Sequence, residues 1–221
     1  MENLKDHIEA ILFDLDGTLM DTDNQSVEKF ARLFEKIHLP DPERLARKLV
    51  MASETPVNGL ITLIDRMGID QPLMDFWQKL SFGKGIVKYE FQIIPGVADM
   101  LEELSGRYLL AVVTTRSRAE AEVFLQGNNL TGLFEVVVTR TSTFRLKPHP
   151  EPILYAAKQL GVSAHRCLMV GDTTPDIRSA RSAGAYSAGV LCGYGTRDEL
   201  EKAGATVVLE HTKMVAGLFN R

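Results

Sequence analysis

The stretch Ala10–Leu19, AILFDLDGTL, decides how the rest of the chain is read. Its apolar start, continuous with Ile8, ends abruptly at Asp14; Asp16 follows two places on, then Gly17. A short apolar run closed by a turn signal fits a strand buried on both faces. Two carboxylates therefore stand where a buried strand ends. Carboxylates this close repel, and one resists ionising unless a positive charge lies beside them. A hard cation supplies that charge, and carboxylate oxygens are its natural ligands. Gly17 loosens the turn, because it adopts backbone angles closed to other residues.

Five more runs share this character: YLLAVVT from Tyr108, LFEVVVT from Leu133, RCLMVG from Arg166, AYSAGVL from Ala185 and ATVVL around Val207. Amphipathic stretches lie between them. GVADMLEELSG from Gly96 puts Val97, Met100, Leu101 and Leu104 on one face, and further helices are expected from Arg118 and from Pro150, the latter ending at Gly161. Strands alternating with helices imply an α/β fold with a doubly wound, parallel, Rossmann-like sheet. Residues 20–91 break the rhythm and read as successive helices. Val27, Phe30, Ala31, Phe34 and Ile37 recur at helical spacing, and Asp41-Pro42 reads as an N-cap followed by a first helical residue. The expected organisation is an α/β core, 1–19 plus 92–221, with an inserted all-helical unit, 20–91. Linkers are expected near Leu19–Thr22 and Tyr89–Pro95.

The bulk composition excludes several classes. With 29 acids against 25 bases the chain of 221 residues carries a net charge of −4, and no long basic block suggests a nucleic-acid partner. Two cysteines, Cys167 and Cys192, make no disulfide framework and fit a reducing compartment. The opening MENLKDHIEA has no signal-peptide core, and no apolar run approaches the ~20 residues of a membrane span. A cytoplasmic protein with neither membrane nor nucleic-acid partners is expected.

Chemistry-bearing residues follow three other predicted strands. Thr114 and Thr115 close AVVTT, Lys147 precedes Pro148, and Gly171 is followed by Asp172 and Asp176, with Pro175 suited to the first turn of a helix. Acids, a hydroxyl and one ammonium beyond strand ends suit Mg2+-assisted phosphoryl transfer. Each residue also has a plainer reading. Aspartates cap turns and helix N-termini, and a lone lysine is more often solvated. Arg116 and Arg118 fit an anionic substrate or a surface role equally. His149 reads as solvent-facing, Phe76, Trp77 and Phe82 as helix-packing residues, and the glycines around Tyr194 as a turn rather than a phosphate cradle.

The four segments in this order resemble the motifs of the haloacid dehalogenase superfamily, in its phosphoglycolate-phosphatase-like branch with a helical cap. They are Asp14-Leu15-Asp16-Gly17-Thr18-Leu19, Thr114, Lys147-Pro148, and Gly171-Asp172 with Asp176. The likeness spans nearly the whole chain, with Thr115 standing where relatives often carry Asn. It implies an Mg2+-dependent phosphatase acting on a small phosphorylated metabolite through an aspartyl-phosphate. Asp14 is then the nucleophile and Asp16 the general acid and base. Asp14, the Asp16 carbonyl and Asp172 hold the metal with Asp176 in support, while Thr114 and Lys147 bind phosphoryl oxygens, joined by main-chain donors of Gly17 and Thr115. Residues 20–91 act as a lid. The alternatives are a beta-phosphoglucomutase-like phosphomutase, a phosphonate hydrolase using a cap lysine, and a non-catalytic binding member of the fold.

Overall fold

A computed structural model describes residues 4–21, 32–36, 39–42, 45 and 92–220. Six strands form one parallel sheet: β1 (Ala10–Phe13), β4 (Leu109–Val113), β5 (Val136–Val138), β6 (Cys167–Gly171), β7 (Tyr186–Val190) and β8 (Val207–Leu209). Two residues each make β2 (Met20–Asp21) and β3 (Gln92–Ile93), which pair antiparallel in a separate ribbon. Among the described residues that flank this sheet, the helices are α1 (Leu4–His7), α2 (Val97–Ser105), α3 (Arg118–Gly127), α4 (Glu151–Leu160), α5 (Thr174–Ala183) and α6 (Arg197–Ala203).

All six predicted strands are present, and the sheet order is β5-β4-β1-β6-β7-β8. The chain works outward from β1 through β4 and β5, then returns to the other side of β1 with β6. Strand order thus reverses at β1, and ligands of such sheets bind in the crevice beyond the carboxyl ends at that point. Because the strands are parallel, the residues following β1, β4 and β6 share one rim.

Period-two alternation assigns side chains to the two faces. Ile11, Phe13, Leu110, Val112, Leu168 and Val170 face a core shared with α2, α3 and the C-terminal 3-10 segment. Ala10, Leu12, Ala111, Val113, Cys167 and Met169 face a second core closed by Ile153, Ala156 and Ala157 of α4 and Ala180 of α5. The buried face of α2 is Val97, Met100, Leu101 and Leu104, as its spacing predicts. Capping boxes start α3 (Ser117 with Glu120), α5 (Thr173 with Asp176) and α6 (Thr196 with Glu199). Left-handed glycines end α4, α5 and α6. Burial pushes the Cys167 thiol up to about 11, with Glu9 adding to the effect, so this cysteine behaves as a core apolar residue.

The chain divides into two compact units, Met1–Thr22 with Phe91–Arg221, and Asp23–Glu90. The β2–β3 ribbon occupies the segments expected as linkers, and Met20 and Asp21 fall in the unit that holds the sheet. In the second unit, residues 32–36 are helical, and Leu45 N–H donates to the Asp41 carbonyl at 3.0 Å, as the Asp41-Pro42 helix start predicts. Phe76, Trp77 and Phe82, read as helix-packing residues, lie outside the described residues, as does most of the expected helical unit.

Candidate active site

Asp14 leaves β1 with its N–H bonded to the Val170 carbonyl of β6 at 3.0 Å, so the backbone pins it at the switch point. Asp172 begins the loop after β6. Lys147 reaches the same place from the loop between β5 and α4. Glu151 holds that loop by accepting from the N–H groups of Phe144 at 2.8 Å and Arg145 at 3.0 Å. Ser179 of α5 holds it from behind by donating to the His149 carbonyl at 2.7 Å.

The Lys147 ammonium lies 2.9 Å from Asp14 Oδ1 and 2.6 Å from Asp176 Oδ1, and it donates to the Val113 carbonyl of β4 at 3.0 Å. Asp176 is fixed from its other oxygen, which accepts from Thr173 N–H at 3.1 Å and Thr173 Oγ1 at 2.5 Å. Its expected place at the helix start and its place in the site are therefore the same fact: the capping carboxylate of α5 also binds Lys147. Asp14, Asp172 and Asp176 each offer an oxygen within 4.8 Å of the others, and all three are buried.

Asp172 sits in a cradle that sequence reasoning read only as a turn. Thr18 Oγ1 donates to its Oδ1 at 3.3 Å, Tyr194 N–H to its Oδ2 at 2.8 Å, and Gly195 N–H to its carbonyl at 3.0 Å. Gly193 permits this contact, since a Cβ there would stand 2.1 Å from Asp172 Oδ2. The glycine-rich segment thus embraces a carboxylate. Gly17 serves the same approach, with φ +66 and a notional Cβ 2.5 Å from Asp172 Oδ2. The Gly17 N–H, expected as a main-chain donor to phosphate, donates here to the Met20 carbonyl at 3.0 Å, closing its own turn.

Three buried acids against one ammonium leave an excess of negative charge, and the electrostatics register it. Burial pushes the Asp14 carboxyl up to about 7; Lys147 pulls it down, but Asp176 and Asp16 push the same way as burial. Asp172 is held well above the usual carboxylate range by burial, then by Asp176 and Asp14, against the Tyr194 N–H bond. Burial alone would lower Lys147, yet Asp14 and Asp176 hold it above its ordinary value, so it is cationic. An all-oxygen donor set short of positive charge fits a hard divalent cation. Asp14, Asp172 and Asp176 are the side chains that could hold one.

Thr114 follows β4 and is buried; its hydroxyl accepts from Arg116 N–H at 3.1 Å, which leaves its O–H proton to donate elsewhere. Thr115 follows it, half-buried. The Asp16 carboxylate stands apart from the acid trio and pairs with Arg116, whose Nη2 lies 2.6 Å from Oδ1 and whose Nε lies 2.8 Å from Oδ2. Arg116 is one of the two arginines whose readings the sequence left level. Arg118, the other, is exposed and pairs with Glu122 of its own helix at 3.6 Å and with the Val137 carbonyl of β5 at 3.1 Å. His149 contacts Arg145 at 3.0 Å and stays partly exposed.

Comparison with known proteins accounts for this arrangement. A family model for haloacid dehalogenase-like hydrolases matches residues 11–190, from β1 through β7. The chain is 30% identical over 212 residues to a Dickeya dadantii protein named "Probable phosphatase IndB", covering 94% of this chain and 91% of that one. It is 32% identical over 192 residues to pyrophosphatase PpaX of Bacillus pumilus, covering 83% of each. A haloacid dehalogenase-like hydrolase of Streptococcus pneumoniae matches in three dimensions with a TM-score of 0.69 at 25% identity, over 97% of this chain and 99% of that one. The order of strand-end residues, the switch point that gathers them and the matched span agree, and the chain belongs to the haloacid dehalogenase-like hydrolases.

Proposed function

We propose that this chain is a divalent-metal-dependent phosphatase that hydrolyses a small phosphorylated metabolite through an aspartyl-phosphate on Asp14. The observation that carries the reading is the buried group of Asp14, Lys147, Asp172 and Asp176 at the sheet's switch point. Relatives named as a probable phosphatase and as a pyrophosphatase support it.

Asp14 is buried but retains 7% exposure, enough to meet a substrate from the rim. Its carboxylate oxygen attacks phosphorus, forming the acyl-phosphate bond as the bond to the leaving oxygen breaks. Asp16 delivers a proton to that oxygen, then takes one from the water that cleaves the acyl-phosphate, restoring Asp14 and releasing phosphate. Lys147 and the Thr114 hydroxyl bind the transferring oxygens, and Lys147 also keeps Asp14 near the charged form that attack requires. Mg2+ held by Asp14, Asp172 and Asp176, with the Asp16 carbonyl, would neutralise charge on the phosphoryl oxygens. Asp176 also orients Lys147. We assign residues 20–91 to a cap that excludes water and reads the leaving group.

The test is phosphate release from a panel of phosphate esters, with Mg2+ and with a chelator. Release with Mg2+, lost on chelation, is the expected result. No release from any ester would refute the proposal. Conversion of a sugar 1-phosphate to its isomer without phosphate release would reassign the chain to the phosphomutases.

A further inference from the structure

Arg116 has a position that the mechanism above does not use. Its guanidinium spends three hydrogen bonds on Asp16: Nε to both oxygens, at 3.0 and 2.8 Å, and Nη2 to Oδ1 at 2.6 Å. A carboxylate offers about four lone-pair sites, so one residue covers most of what Asp16 presents. The other edge of the guanidinium is anchored separately. Its Nη1 donates to Glu120 Oε1 at 3.3 Å, in the first turn of α3. Glu120 is itself fixed by Ser117, through N–H at 3.0 Å and Oγ at 2.5 Å, and faces Arg140 at 3.8 Å. Burial would raise the Glu120 carboxyl, but the Ser117 bonds, Arg116 and Arg140 bring it below its usual range, so the anchor is charged. The Arg116 side chain keeps 22% exposure and that of Asp16 17%, so the pair is part-buried and still reached by solvent at the rim.

We propose that Arg116 is a substrate-operated latch on Asp16. The Glu120 edge stays in place while the Asp16 edge transfers to a second oxyanion on the leaving group. That transfer frees Asp16 to face the scissile oxygen. A guanidinium is suited to the exchange, because the same planar fork fits a carboxylate on the protein and a carboxylate or phosphate on the ligand. The enzyme then favours phosphate compounds carrying a further anion close to the scissile oxygen. This inference rests on the phosphatase reading and narrows its substrate class.

The experiment compares kcat/KM of the wild type, Arg116→Gln and Arg116→Lys on three compounds. Ethyl phosphate has no second anion, phosphoglycolate adds a carboxylate, and inorganic pyrophosphate adds a phosphate. Asp16 loses its partner in the Gln variant, so all rates change, and the readout is the ratio between compounds. Losing a charged hydrogen bond to the leaving group lowers the rate on a bifunctional compound, relative to ethyl phosphate, by a further 10- to 100-fold, roughly. The Lys variant keeps part of the preference. A larger relative loss on phosphoglycolate identifies a carboxylate as the second anion, and on pyrophosphate a phosphate. Equal losses on all three compounds overturn the latch and leave the phosphatase reading standing. A wild type that hydrolyses none of the three compounds but releases phosphate from other esters of the panel also overturns the latch, whereas no release from any ester refutes the phosphatase reading.

Discussion

Gly193→Ala tests whether the Asp172 cradle is as tight as it stands in the structure. The added Cβ would lie 2.1 Å from Asp172 Oδ2, 2.5 Å from Cγ and 2.6 Å from Cβ. Ordinary contact begins near 3.4 Å, so the Asp172 side chain has to retreat by about 1 Å. Asp172 is fully buried and has nowhere to go without breaking a bond. Two costs combine: overpacking of about 1 to 3 kcal/mol, and loss of the Tyr194 N–H bond to a carboxylate, about 1.5 to 3 kcal/mol. The expected destabilisation is roughly 2.5 to 6 kcal/mol, a large share of the ~5 to 15 kcal/mol that holds a domain together. Urea denaturation of the metal-free protein reads it directly, with Mg2+-supported phosphate release measured in parallel. Gly132→Ala is the control, since a Cβ there meets nothing within 4 Å. The control should unfold like the wild type, whereas Gly193→Ala should unfold at lower urea and lose activity. A Gly193→Ala protein as stable and as active as the control would show that Asp172 is not held as described.

Three other perturbations have directions fixed by the same contacts. The Asp14 carboxyl rises from 3.8 to about 7 on folding, so the folded metal-free protein binds more protons than the unfolded chain between those values. Its stability should therefore fall as pH rises through that window, by up to roughly 4 kcal/mol from Asp14. Asp172 adds in the same sense. Lys147, raised above 10.5, contributes no slope there, because its stabilisation is lost only as pH climbs through its raised folded value. Urea midpoints at pH 5 and 8 should converge when saturating Mg2+ replaces the chelator; a stability that rises with pH in the chelator contradicts the charge count. Thr173→Ala removes the α5 cap and one donor to Asp176, and should cost about 1 kcal/mol of stability. It should also weaken Mg2+ binding measured by calorimetry, whereas unaltered stability would mean the cap is idle. Lys147→Met leaves buried carboxylates without their ammonium and should destabilise by about 3 to 5 kcal/mol at pH 8. The loss should be smaller at pH 5, where Asp14 is protonated, and a pH-independent loss would point to packing instead.

The strands were legible because each is a continuous apolar run closed by a polar or glycine residue. In β1, β4, β6 and β7, inside the sheet, the pattern reflects burial on both faces, and the edge strands β5 and β8 carry it while half-buried. Asp14, Thr114 and Asp172 stood out by following those runs directly, whereas Lys147 stood out only beside the other motifs, through the family resemblance. Other features left no local mark. β2 and β3 are two residues each, too short for any periodicity, and they pair across more than 70 residues of chain. The bond from Tyr194 to Asp172 joins backbone to a side chain 22 residues away, so a glycine-rich stretch that reads as a turn serves as a carboxylate cradle. Arg116 and Asp16 are 100 residues apart, and nothing local to either names the other. Glu151 looks like an ordinary first-turn acid, yet it orders the loop that delivers Lys147. The signal that could have drawn attention to Arg116 was its place two residues beyond Thr114.

Covalent trapping shows whether the phosphoryl group passes through Asp14, as the proposed mechanism requires. Enzyme mixed with a radiolabelled phosphate ester and Mg2+ is quenched in acid and digested, and the labelled peptide is sequenced. Label is expected on the peptide containing Asp14 and none on the Asp14→Asn protein. Label on another residue, or phosphate release by Asp14→Asn at the wild-type rate, would contradict that mechanism.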